Sequence, residues 1–97
     1  MSIVVLVEFN SKPEATNTLK QFMADALPDS RAYDGCISID VYNNADSDNN
    51  IVMVAKWESR EHQEKAMELS SKKGTFEKLG EMLSSEPSFR YFDQLDI

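Results

Sequence analysis

Five side chains carry most of the chemistry this chain offers: Asp40, His62, Trp57, Tyr42 and Arg31. Asp40 stands in the alternating run Ile37 to Tyr42, where a carboxylate faces water, a partner chain or a cavity. Facing a cavity, it loses solvation, its pKa rises and it becomes a candidate base. His62, the only histidine, is a second candidate base; its neighbours Arg60, Glu61, Gln63, Glu64 and Lys65 equally describe a solvated helix face. Trp57, the only tryptophan, either walls a small-molecule pocket or fills the core. Tyr42 offers a hydroxyl to a ligand oxygen, or serves as a cross-strand filler. Arg31 is a further polar candidate for ligand binding, just before Gly35 and Cys36.

Metal and thiol chemistry are poorly served. One cysteine and one histidine give no ligand spacing. Cys36 has no histidine or basic residue close by in sequence to make it a thiolate, and reads as a small buried hydrophobe. Asp46, Asp48 and Asn50 imitate the start of a calcium loop, but Ile51 stands where glycine is needed and Trp57 where a bidentate glutamate is needed.

Composition narrows the partners. Seventeen acidic against ten basic residues give a net charge of −7, which repels phosphate backbones and anionic lipid, so neither nucleic acid nor membrane is expected. A lone cysteine fits a reducing cytoplasm. The apolar start Ile3 to Val7 soon meets Glu8 and reads as a strand, not a signal peptide.

The elements that must position these side chains follow from periodicity. Ile3 to Phe9 is a strand apolar on both faces. Ser11 and Glu14 form a capping-box pattern with Pro13 in the first turn; Leu19, Phe22, Met23, Ala26 and Leu27 then make one helical stripe, which Pro28 ends or kinks. Gly35 opens a second strand with Ile37, Ile39 and Val41 on one face. Asn43 to Asn50 is a hairpin loop and Ile51 to Trp57 a third strand. Ser59 caps a helix to about Ser71, Gly74 breaks it, and Thr75 restarts it until Pro87. Phe89 to Leu95 is the last strand. This order, β-α-β-β-α-β over residues 1–97, predicts one α+β domain, ferredoxin-like, with a four-stranded antiparallel sheet. The helices cover one sheet face only. The other face keeps apolar side chains, which a sheet-to-sheet homodimer would bury.

Ser30-Arg31 before Gly35-Cys36, Trp57-Glu58-Ser59, and Pro87 before Phe89-Arg90-Tyr91-Phe92 together resemble the antibiotic biosynthesis monooxygenase domain family. These small dimeric α/β barrels include quinol monooxygenases. The resemblance implies a cofactor-free oxygenase: an aromatic hydroxyl or quinol-like substrate is deprotonated in a dry pocket, and its anion reduces dioxygen. Many members carry a histidine nine or ten positions after the tryptophan, where this chain has Ala66 and Met67; His62 lies one helical turn earlier than Ala66. Tyr33 and Ala55 stand where many members have glutamate. The frame therefore matches while the usual acid–base groups are replaced, which also favours a non-catalytic binding or dimerisation module as the alternative.

Overall fold

The computed structural model describes residues 2–97. Its elements are β1 (Ile3–Asn10), α1 (Thr16–Arg31), β2 (Cys36–Asn43), β3 (Asn50–Trp57), α2 (Arg60–Lys72), α3 (Thr75–Met82) and β4 (Ser88–Asp93), with a short 3-10 turn at Pro13–Ala15. The four strands form one antiparallel sheet in the order β2-β3-β1-β4. This is the ferredoxin-like arrangement, with the second helix divided into α2 and α3. Gly74, with φ +76°, divides them, because that left-handed backbone conformation strains any residue bearing a Cβ.

Strand pairing sorts the side chains between two faces. Ile3, Val5, Val7 and Phe9 lie opposite Trp57, Ala55, Met53 and Ile51, and this face packs on the helices. Leu19, Met23 and Leu27 of α1, Ala66 of α2 and Leu79 and Met82 of α3 complete the core. The alternate residues Val4, Leu6, Val52 and Val54 line the opposite face and are only half-buried. Phe92 joins them opposite Val4 and is 45% exposed. Within one chain the sheet is open, with β2 and β4 as its edges.

Three sequence expectations change. The Ser11–Glu14 capping box does not form: Lys12 takes the cap position, and buried Ser11 instead pairs its hydroxyl with that of Thr16 at 2.7 Å. The Thr16 hydroxyl donates onward to Asn49 Oδ1 at 3.0 Å, so the two hydroxyls tie the start of α1 to the β2–β3 hairpin. Pro28 does not end α1, which runs on to Arg31. An exposed proline this near the C-terminus removes one backbone donor and little else. Finally, Ile37 leaves the inner face, because a register irregularity between Cys36 and Ser38 inserts an extra residue into the edge strand. Ile39 is then the only buried residue of β2.

Candidate functional site

Between the inner sheet face and the helices lies a cavity of about 120 Å³. Its walls are chiefly apolar, from Val5, Phe22, Met67, Phe76 and Trp57. Trp57 ends β3 opposite Ile3 on one side and Cys36 on the other, which puts its side chain on the sheet face that packs on the helices. It is 5% exposed and lines the void. Ala55 and Ala66 also border the cavity, and both are buried. Their methyl groups leave space that larger side chains would fill.

Few polar groups reach this space: Ser30, Tyr33, Gln63, Ser70 and Thr75. The Tyr33 hydroxyl accepts a hydrogen bond from Lys73 Nζ at 3.2 Å. Hydrogen bonding by Ser70, foremost, and then by Lys73 holds the phenol below its usual pKa, against the opposing effect of burial. Half-buried Tyr33 and Ser70, with exposed Lys73, place this phenol on the solvent side of the cavity. Gln63 is deeper, at 4% exposure. Its carboxamide oxygen accepts from the Tyr91 hydroxyl at 3.1 Å, and its nitrogen meets the Met67 thioether.

The sequence candidates separate into three places. Trp57 alone lines the cavity. Asp40 and Tyr42 pair with Val54 and Val52, so they belong to the sheet face turned away from the helices, and both are exposed. The condition that would make Asp40 a cavity base, loss of its water, is not met. Arg31 uses its guanidinium on the protein itself: Nε and Nη2 donate to the Ile39 carbonyl at 3.2 and 2.9 Å, clamping β2 to the end of α1. Arg31, Asp40 and Tyr42 do share a shallow open depression beside α1.

His62 sits apart from the cavity wall, in the first turn of α2. Ser59 caps that turn: its hydroxyl accepts from the His62 backbone N–H at 3.2 Å and pairs with His62 Nδ1 at 2.6 Å. The orienting partner that the sequence did not reveal is therefore three residues away. On its other side His62 Nε2 lies 3.7 Å from an Asp34 carboxylate oxygen. Asp34, Glu58 and His62 are the one group among the described residues whose donor atoms converge, within 4.8 Å, as cation ligands would; both carboxylates are exposed. Cys36 is half-buried, and burial pushes its thiol pKa up against the smaller effect of Arg31, which disfavours the nucleophilic thiolate.

Sequence reasoning missed Gln63 and undervalued Tyr33. Gln63 had a weak signal: a polar residue three before Ala66 and four before Met67, on the one apolar stripe of a largely polar helix. Its burial depends on Tyr91, which arrives from β4 twenty-eight residues later.

A family model described as antibiotic biosynthesis monooxygenase matches residues 2–78. No curated protein matches. Among solved structures, Rv0793 from Mycobacterium tuberculosis is similar at 24% identity, with 100% of this chain and 98% of that chain covered and a TM-score of 0.89. A conserved protein from Methanosarcina mazei Go1 is similar at 19% identity, covering 98% and 94%, with a TM-score of 0.89. A mutant form of SnoaB, a cofactor-independent oxygenase from Streptomyces nogalater, is similar at 14% identity, covering 99% and 95%, with a TM-score of 0.85. At these identities the three structures show a shared fold.

Proposed function

Because the chain belongs to the antibiotic biosynthesis monooxygenase family, we propose that it is a cofactor-independent oxygenase acting on a small aromatic hydroxyl compound or quinol. One observation carries this reading: a chiefly apolar cavity, walled by Trp57, with a perturbed phenol at its solvent side. An apolar space favours a flat aromatic ligand and strengthens whatever hydrogen bonds it makes. For an anthrone-type substrate the Tyr33 phenolate takes the proton, and the resulting carbanion reduces and adds dioxygen. The peroxide anion takes that proton back from Tyr33, and the hydroperoxide collapses with loss of the remaining C–H, leaving one oxygen atom on carbon as a carbonyl while the other departs as water. The substrate supplies every electron.

Tyr33 is the proton acceptor in this scheme, and Lys73 holds it ready. Oxygen uptake by the intact chain should rise with pH as the phenol ionises, with a midpoint below about 10, the usual tyrosine value. Tyr33→Phe should remove that dependence and cut turnover roughly a hundredfold, the size expected of a lost general base. An unchanged pH profile in Tyr33→Phe would count against the assignment.

The alternative is a non-catalytic module that binds a ligand in the same cavity, favoured by the methyl groups of Ala55 and Ala66 at the site. Oxygen uptake measured against a panel of quinols and anthrones separates the two. Ligand binding with no uptake for any compound selects the module.

A homodimer belongs to this proposal, with residues 1–97 as one domain and the outer sheet faces packed together as a dimeric α/β barrel. The half-buried row Val4, Leu6, Val52 and Val54 supports it, since an apolar face of that kind is normally covered. Asp40 and Tyr42 would lie at the rim of that seam, where Tyr42 is 58% exposed in the single chain. Val54→Glu places a charge in the seam and should shift sedimentation from dimer to monomer at micromolar concentration. Unpaired Cys36 suits a reducing compartment, and we place the protein in the cytoplasm. No helix among the described residues is long and apolar enough to cross a membrane.

A further inference from the structure

We propose that the Gln63 carboxamide is the polar anchor of the cavity, donating a hydrogen bond to an acceptor oxygen, a carbonyl or phenolate, on a flat apolar ligand. The inference rests on reading the cavity as the ligand site. Gln63 lines that cavity and is 4% exposed, which is unusual for an amide that must satisfy two donors and an acceptor. The acceptor is satisfied by Tyr91 Oη at 3.1 Å. One donor meets Met67 Sδ at 2.7 Å, but a thioether is a weak acceptor. The second N–H has no acceptor among the described residues. A buried donor of this kind gains most from a ligand oxygen, because the apolar walls offer it nothing else.

The amide is also held in place. The Arg60 guanidinium lies over the Tyr91 ring, 3.9 Å from its centroid, and fixes the phenol that donates to Gln63. Accepting that bond polarises the carboxamide and makes its N–H groups better donors. The reverse amide orientation would set the oxygen lone pairs against the thioether sulfur, so Met67 selects the form whose oxygen accepts from Tyr91. Tyr91 acts as a positioning residue, and Gln63 makes the contact. Ligands lacking an acceptor oxygen leave the donor unpaired and should be discriminated against.

The test compares 1-tetralone, which carries one carbonyl, with tetralin, the matched hydrocarbon, using the fluorescence of Trp57, the only tryptophan, as reporter. The wild-type chain should bind 1-tetralone about five- to tenfold more tightly than tetralin. Gln63→Leu should abolish that preference while leaving tetralin binding within about twofold. Tyr91→Phe, which keeps the ring under Arg60, should reduce the preference without abolishing it, and stands as the second variant if Gln63→Leu fails to fold. Equal affinity of the wild type for both compounds, no binding of 1-tetralone, or a preference that survives Gln63→Leu overturns the anchor. Turnover plays no part in this measurement. Absence of oxygen uptake would sink the oxygenase reading and leave the anchor standing, while equal affinities would sink the anchor and leave oxygenation intact.

Discussion

Replacing Gly35 by alanine is expected to cost about 2–4 kcal/mol of stability, as the sum of two separable effects. Gly35 has φ +84°, in the left-handed region where a Cβ carries a penalty of about 1–2 kcal/mol. An alanine Cβ there would also meet the ring and Cβ of His62 at 2.4–2.6 Å. Those atoms cannot simply swing away. The His62 Cβ is anchored to the first turn of α2, and Ser59 holds the ring through Nδ1 at 2.6 Å. The loop is pinned on its other side as well, because the Gly35 carbonyl accepts the Glu58 backbone N–H at 2.8 Å. The melting temperature should fall by about 10 °C or more, at roughly 4–8 °C per kcal/mol for a chain this size. Adding His62→Ala to Gly35→Ala should recover the ring's share of the steric part, and leave the contact with the retained residue-62 Cβ and the backbone part. A fall of only a few degrees in the single variant, or no recovery in the double variant relative to His62→Ala alone, would show that the close approach is not constraining. The expected outcome gives His62 a packing role in the α1–β2 turn, whatever else it does.

Trp57→Ala is expected to cost about 3–5 kcal/mol and to abolish ligand binding in the cavity. Trp57 is almost fully buried and supports the void from the sheet side, so truncation merges the vacated volume with the existing 120 Å³ cavity. Small domains hold only about 5–15 kcal/mol in total, so this one change consumes much of the margin. Urea denaturation should show a lower midpoint with a similar slope, the signature of lost stability without a change in the surface exposed. Trp57→Phe keeps an aromatic wall and should fold. Calorimetric binding of 1-tetralone to Trp57→Phe should be weaker than to the wild type. Wild-type affinity in Trp57→Phe would mean that the ligand lies elsewhere.

Much of this molecule was legible without coordinates. Apolar alternation, the hairpin residues Asn43 to Asn50, the Ser59 cap and Gly74 each act through neighbours close in sequence, and each appears where local physics puts it. The site was legible only in part, because face and depth depend on partners far along the chain. Asp40 could face water, a partner chain or a cavity until pairing with Val54 set it on the outer face. Arg31 looked free for a ligand until β2 brought the Ile39 carbonyl within its reach.

By itself, then, the sequence determined the element order, the fold and the tryptophan at the end of the third strand, because backbone preference and apolar period are local quantities. Tertiary structure alone decided which polar groups meet the cavity. Gln63 becomes a buried amide only when Tyr91 of β4 docks against α2, and Tyr33 becomes a perturbed phenol only when Ser70 and Lys73 arrive beside it. Burial and hydrogen bonding are properties of the assembled neighbourhood, and they convert ordinary side chains into chemical ones.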